Sequence, residues 1–484
     1  MTALILLCIM ELAERKKDGL RMTANQGDLT QGPIFKKILH VAVPIMGTQL
    51  LQMTYNLTDM FWLGRMKDSV MAVAASGLAG MFLWLGMALL MIGRIGSEIG
   101  TSQNLGRGDI GKAQGYAEES TRIALLLGSL YGLILILFTG PLVSLLQVNE
   151  PIVFGYTIDY LRITGIGIPF TYVSAAITGS FNGAGNSRLS FRANAVGLVV
   201  NMILDPLMIL VFGWGIKGAA IATIIAQIIV CILFVRFSKS HAKRPFEHFI
   251  ILGSMKIERV RQIFRWSLPV AVESGAFTAL AMVVTAMVSA WYGETAVAVQ
   301  RVGSQIESLS WLIGGGFSSA VAAFTGQNYG AGQWKRIRRG FRISLGTLLA
   351  WEIFVTFILV FGGRILFSLF LREPAEILDM GQTYLRILAI CQVFMALEGA
   401  SSGTFRGLGR TLPPSICSIS ANLIRPFLCW GLAQWMGLNG LWLGITLSAA
   451  LRGTLMFIWY MYYEKQIPHA DEAKNAATAF TVQA

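Results

Sequence analysis

The stretch NMILDP, Asn201 to Pro206, sets one carboxylate among Met, Ile and Leu. Asn201 stands four residues before Asp205, one helical turn away on the same face. The stretch YNLTD repeats that spacing with Tyr55 and Asp59, and Thr178 and Thr223 add hydroxyls in other apolar runs. Carboxylate, amide and hydroxyl oxygens are the donors that suit a hard cation such as Na⁺, and a carboxylate is equally a place to hold a proton. An ionised Asp at mid-bilayer costs about 2.5–3.5 kcal/mol on insertion scales, so an acid kept there is a functional candidate by default. The competing reading is a pair of structural acids satisfied within a helix interface. Pro206 cannot donate its backbone hydrogen bond and crowds the carbonyl of Met202, which predicts a kink beside the acid. Glu273, Glu307 and Glu398 are candidate counter-ions for a cationic substrate, with pairing to neighbours as the alternative; Arg301 is the expected partner of Glu307. Arg94 with Glu98 and Asp159 with Arg162 read as ion pairs within one helix.

Other chemistries find no footing. Cys8, Cys231, Cys391, Cys417 and Cys429 make no CxxC pair, and His40, His241, His248 and His469 have no metal-ligand spacing. No GxxxxGK[ST] stretch offers an ATP site, and no nucleophile sits beside a base. An enzyme is therefore not expected, and no cofactor is expected beyond a coupling ion. FNGAGNS and FRGLGRT follow no strand, so they read as tight turns and not as phosphate cradles, as do QNLGRGD and QNYGAGQ.

The elements that must position these acids are membrane helices. Of 484 residues 54% are hydrophobic and 13% charged, against about 25% charged in an ordinary globular protein. Apolar runs fall near 39–63, 70–100, 116–139, 153–181, 189–212 and 217–238, then near 265–291, 299–325, 340–362, 378–404, 412–433 and 439–463. The net charge of +13 is a topology signal and not a nucleic-acid footprint. With the N-terminus inside, the outer segments hold Arg65, Lys67, Lys217, Arg364 and Arg372, while the dense clusters from Arg236 to Arg265 and from Lys335 to Arg342 lie inside. This predicts two cytoplasmic termini, with contact to membrane lipid. The opening MTALILLCIM is too short to span, and a start at Met22 with 1–21 as an extension is the favoured reading. The polar end, 464–484, reads as a disordered tail.

The chain repeats itself. TSQNLGRG at Thr101 returns as TGQNYGAG at Thr325, and GSFNGAGNS at Gly179 returns as GTFRGLGRT at Gly403, both 224 residues later. Each half holds an even number of spans, so both enter from the same side. The expected fold is all-α, with about twelve transmembrane helices in two parallel-repeat six-helix bundles around a central cleft. The expected parts are a cytoplasmic segment 1–34, an N-terminal lobe 35–239, a basic linker 240–264, a C-terminal lobe 265–463 and the tail. The repeat sets Tyr55 and Asp59 against Leu280 and Val284, and Asp205-Pro206 against Arg425-Pro426, so the acid cluster belongs to the first half alone.

The QNLG and QNYG turns, the GxFxGxG turns and the LPVAVE entry to the seventh helix resemble multidrug and toxic compound extrusion (MATE) transporters over roughly residues 30 to 463. YNLTD and NMILDP are similar to the bacterial DinF-like branch. That resemblance implies a cation-coupling site at Tyr55, Asp59, Asn201, Asp205 and Thr223, with Thr178 where the branch has a helix-4 asparagine, and Asn182 where it has a turn arginine. It implies an antiporter of the bacterial inner membrane that exports small amphipathic, often cationic, compounds against H⁺ or Na⁺, acting as a monomer. A lipid-linked oligosaccharide flippase of the same superfamily is the alternative, and the acid excess weighs against it.

Overall fold

The computed structural model describes residues 27–66, 68–146, 148, 150–240, 246, 249–251, 253–369 and 375–466. The expected extension 1–21 and the tail beyond Gln466 lie outside them. The described chain folds into α1 (Ile34–Leu63), α2 (Ser69–Gly106), α3 (Ile110–Leu137), a short α4 (Thr139–Ser144), α5 (Pro151–Gly183), α6 (Ser187–Pro206) and α7 (Gly215–Ser240). Then come α8 (Ile257–Gly330), α9 (Trp334–Ser368), α10 (Ala375–Gly407) and α11 (Leu412–Gln466). Among the described residues nine helices are long and apolar enough to cross a membrane, and there is no strand. Two of these are too long for one crossing. At 1.5 Å per residue the 74 residues of α8 would run ~110 Å, but Gly293 breaks the helix with φ 77°. Gly437 breaks α11 in the same way with φ 59°. The pieces 257–292 and 294–330, and 412–436 and 438–466, restore the expected twelve crossings together with α5.

The helix ends follow the repeat. The pairs Gly106 and Gly330, Ile110 and Trp334, Pro151 and Ala375, and Gly183 and Gly407 are each 224 residues apart. The glycine motifs differ from the expected turns in one respect: their first half is still helix. QNLG closes α2 and FNG closes α5, and the turn proper begins after them. There Gly108, Gly185, Gly332 and Gly409 take φ of 68–77°, which an L side chain resists. Each turn is closed by the 6→1 bond of a Schellman cap, such as Asp109 N to Asn104 O at 2.9 Å and Gln333 N to Asn328 O at 2.8 Å. The chain after α7 also differs: α8 starts at Ile257, ahead of the apolar run from 265, because Ile263 and Trp266 are buried against α2 and α3.

The halves join at one end. The Lys and Arg clusters mark that end, called the basic end below. There the start of α1 (Ile38, Val41, Ala42, Ile45) packs into the second half, against Phe317, Val321, Phe324 and Phe341. Towards the opposite end each half keeps its own core: Leu63, Leu135, Tyr160 and Ile216 in the first, Val288, Phe367, Tyr384 and Trp442 in the second. A molecule joined at one end with separate cores at the other encloses a cleft between its halves.

Candidate functional site

Asp59 closes the last turn but one of α1, Asp205 closes α6, and Thr223 lies eight residues into α7. All three are buried, Asp205 and Asn201 completely. Asn201 Nδ2 donates to Asp205 Oδ1 at 3.0 Å, as the one-turn spacing predicts. Thr223 Oγ1 donates to Asp59 Oδ2 at 3.5 Å, and Tyr55 OH donates to the carbonyl of Thr223 at 3.3 Å. The two carboxyls are close neighbours, each feeling the other. Ionised carboxylates only accept, so that contact becomes a bond only when one of them carries a proton or a cation sits between them. Asp59 Oδ1, Asp205 Oδ2 and Asn201 Oδ1 are buried and have no partner. No Lys or Arg bridges to either acid among the described residues. Three orphaned oxygens and a hydroxyl form a donor set that fits H⁺ or Na⁺.

The expected irregularity at Pro206 is present. Straight after it the chain winds into a π turn, Leu207–Val211, closed by Phe212 N to Leu207 O at 2.8 Å. The turn stands next to Asp205 and frees backbone oxygens there.

The structure does not bring Thr178 to this cluster. Its hydroxyl donates to Ser174 O of its own helix at 2.8 Å, and it stands 18 residues, ~27 Å, along α5 from Tyr160. Tyr160 on α5 is buried beside the Thr223 hydroxyl and the two acids. Its TIDYLRIT context carries no distinguishing signal. Only the geometry of α5 against α7 finds it.

The second half holds a different set. Glu398 is paired to Arg452, with Nη2 at 2.7 Å and Nε at 2.8 Å, the pairing that is the alternative to a substrate counter-ion. Glu273 accepts from Ser415 Oγ at 2.8 Å, and Glu307 accepts from Gln392 Nε2 at 3.1 Å, not from Arg301. Glu352, which sequence reasoning passed over, is buried and accepts from Ser310 Oγ at 2.7 Å. Glu307 and Ser310 lie one turn apart on 294–330, so Glu307 and Glu352 share one interior region. Arg425, at the place matching Asp205, is buried and donates to Ser448 Oγ at 2.8 Å. Of the two other expected pairs, one differs. Asp159 bonds Lys217 at 3.2 Å in place of Arg162, and Glu98 keeps Arg94 as its main opposite charge while also accepting from Ser319 of the other half at 2.9 Å.

Ser319 belongs to a seam at the basic end. Gln103 Nε2 donates to Gly407 O at 2.9 Å, and Gln327, its mate at 224, donates to Gly183 O at 2.9 Å. Each half thus gives its QN glutamine to the last glycine of the other half's GxFxG helix. A Cβ at Gly106 would meet the carbonyl of Gln327, and one at Gly330 the carbonyl of Gln103, so glycine is required for the approach. The segment ahead of α1 seals the seam. Leu29 is fully buried, its N–H donates to Gln327 Oε1 at 2.8 Å, and its carbonyl accepts from Asn328 Nδ2 and Arg336 Nη2, both at 3.2 Å.

Two pseudo-symmetric six-helix halves, sealed at one end, with two acids buried in one of them, define a two-lobed membrane protein built on a parallel repeat. The MatE family model matches residues 44–207 and 269–430, and the chain belongs to that family. The chain is 26% identical over 443 residues to a probable multidrug resistance protein NorM of Thermotoga maritima, covering 88% of this chain and 92% of that protein. It is 28% identical over 444 residues to a probable multidrug resistance protein YpnP of Bacillus subtilis, covering 90% and 96%. Its fold is that of a structure described as the outward-facing conformation of a multidrug resistance MATE family transporter of the MOP superfamily. The TM-score is 0.84 at 21% identity, covering 93% of this chain and 100% of that one. The resemblance of the QN and GxFxGxG motifs is thereby borne out at the level of the family.

Proposed function

We propose that the protein is a secondary active antiporter that exports small amphipathic, often cationic, organic compounds in exchange for H⁺ or Na⁺. Its basic end and both termini face the cytoplasm of a bacterial cell, where the Lys and Arg excess favours them. The multidrug-resistance names of its relatives support the substrate class. The observation that carries the coupling is the set of buried, unpartnered oxygens on Asp59, Asp205 and Asn201, with no Lys or Arg bridged to either acid among the described residues. An incoming proton or Na⁺ relieves the repulsion between the two acids and satisfies the orphaned oxygens. An ion drives a change of state only through different affinity in the two states. The π turn beside Asp205 is the element that can rewind between them.

The test is transport by purified protein in proteoliposomes, with H⁺ and Na⁺ gradients imposed separately and a fluorescent organic cation as substrate. Wild-type protein moves the dye under one of the two gradients. Asp205→Asn keeps the shape of the neutral acid but cannot exchange a proton or offer a full charge to Na⁺. It is expected to insert, fold and bind dye while losing gradient-driven transport. Transport at the wild-type rate in Asp205→Asn would make Asp205 a structural residue and overturn the reading.

A further inference from the structure

The basic end carries a cavity of about 510 Å³ lined by Ile34, Lys335, Arg336, Arg338, Arg339 and Arg342. Its wall is five cations from the first turns of α9 and one apolar residue from the first turn of α1. Arg338 lies 3.9 Å from Glu464 Oε1, while among the described residues neither Arg339 nor Arg342 pairs with a carboxylate. Clustered guanidinium groups repel each other unless an anion is shared between them, and their planar forks match the oxygens of a phosphate.

The repeat shows what this surface looks like when the chain itself satisfies it. The residues 224 earlier are Gly111, Lys112, Gln114, Gly115 and Glu118, and four of these line the matching cavity on the first half. The inter-lobe linker crosses that cavity. Arg122 donates to the carbonyls of Ile250, Ile251 and Ser254 at 2.8–3.0 Å, Glu118 accepts from Ile250 N at 3.0 Å, and Arg259 pairs with Glu119 at 3.2 Å. Two acids, Glu118 and Glu119, stand among three cations there, Arg122, Lys256 and Arg259. In the second half the equivalent surface bears cations where the first has Gly and Glu. Sidedness alone does not demand this, since the equivalent end of α3 faces the same way without it. The difference is specific to the cavity.

We propose that this cavity binds the phosphate headgroup of an anionic phospholipid. The location selects a lipid over a free anion. The cavity opens between the ends of two membrane-spanning helices, and Phe35, next to Ile34, is 48% exposed at the same level. Cations at that level attract anionic lipid. Arg336 of the wall also holds the Leu29 carbonyl. A headgroup in the cavity therefore fixes α9 against the segment that closes the seam, and favours the state sealed at the basic end. The proposal does not depend on which ion drives transport.

The test uses the full-length protein in detergent. Binding of phosphatidylglycerol and of phosphatidylcholine is titrated by native mass spectrometry, and inorganic phosphate is added as a competitor. Wild-type protein is expected to retain phosphatidylglycerol over phosphatidylcholine by tenfold or more. Arg339→Gln/Arg342→Gln, which spares the contacts to Leu29, is expected to lose roughly tenfold or more of that affinity. Arg261→Gln/Arg265→Gln removes the same charge from exposed sites on α8 at the same end, and is expected to change it by less than about twofold. The single variants Arg339→Gln and Arg342→Gln serve if the double variant fails to fold, each giving an intermediate loss. Equal losses in the two double variants would show a diffuse charge effect and overturn the site. Full displacement of the lipid by millimolar phosphate would overturn the lipid source. Phosphatidylglycerol binding that arises only when 467–484 are deleted would assign the cavity to the chain's own end and overturn the proposal.

Discussion

The two halves of the molecule share several helix ends at one offset of 224 residues and share almost none of their buried charge. In the first half Asp59 and Asp205 face each other across α1 and α6 with neutral partners only. In the second half Glu398 has Arg452, Glu307 has Gln392, Glu352 has Ser310, and Arg425 stands where Asp205 would be. The residues 224 before Glu307 and Glu352 are Leu83 and Gly128. What the repeat preserves is the seam: Gln103 and Gln327, Gly106 and Gly330, Gly183 and Gly407. Scaffold and closure obey the repeat, while ion chemistry is written where the repeat fails. That division gives a rule for reading such chains: residues that match their mate at 224 hold the halves together, and buried polar residues that do not match it are the candidates for work.

The comparison breaks most sharply at the acids. Asp59→Asn is expected to abolish gradient-driven dye transport, by a hundredfold or more, because one neutral acid leaves no pair to share an ion. Glu352→Gln keeps its acceptor for Ser310 and is expected to retain transport within severalfold. Initial rates in proteoliposomes check both. A Glu352→Gln protein as inactive as Asp59→Asn would place coupling in the second half as well and end the asymmetry.

Glu398 and Arg452 sharpen the contrast from the other side. Their side chains are 21% and 13% exposed, and they form a two-point contact. Removing one partner of such a pair strands the other, at about 3 kcal/mol, the low end for a buried pair given the residual exposure. Glu398→Gln should therefore lower the unfolding midpoint in detergent clearly, and Glu398→Gln/Arg452→Gln should recover part of it. If Glu398→Gln leaves stability intact while weakening only cationic dyes, Glu398 is a substrate residue after all.

The seam supplies a smaller, asymmetric effect. Gln103 makes one bond across it, to Gly407. Gln327 makes three, to Leu29 N, Gly27 O and Gly183 O. At about 1 kcal/mol net per buried bond, Gln327→Ala should cost ~2–3 kcal/mol of the sealed state against ~1 for Gln103→Ala. A cysteine at Ser102, buried in the seam, should react with a maleimide faster in both variants, and several-fold faster in the first. Equal rates would mean that the segment ahead of α1 contributes nothing to closure.

Much of this was legible from sequence because lipid imposes strict rules. Backbone groups in a bilayer must be satisfied internally, so apolar length and glycine punctuation gave the helices and their ends closely. Asp205 and Asn201 were visible because a helix fixes what four residues apart means. Tyr160, Ser310 and Gln392 were not visible, because each reaches its partner from a different helix, and helix rotation about its own axis is set by packing that no local pattern encodes. The QN glutamines stand out in the sequence as motifs of turns. Their role needed the other half's glycine carbonyl, 304 residues away in the chain for Gln103.

Thr178 and Tyr160 give the smallest and most discriminating pair. The family resemblance points to Thr178 and the geometry to Tyr160, and both lie on α5. Thr178→Val removes a hydroxyl that serves only Ser174 O of the same helix, a bond of the kind that slightly bends a helix and carries no load elsewhere. Its effect on transport should stay within about twofold, since no atom of the acid cluster loses a partner. Tyr160→Phe removes a hydroxyl beside Thr223, whose own hydroxyl donates to Asp59. Thr223 is then free to turn, and Asp59 loses a fixed donor worth ~1 kcal/mol. The ion should bind fivefold to tenfold more weakly, so half-maximal transport shifts to a higher H⁺ or Na⁺ concentration while the maximal rate stays near wild type. The measurement is the transport rate against ion concentration for both variants side by side. A shift in Thr178→Val larger than in Tyr160→Phe would mean that α5 presents its other end to the ion, and that the site lies nearer the basic end than Asp59 and Asp205 allow.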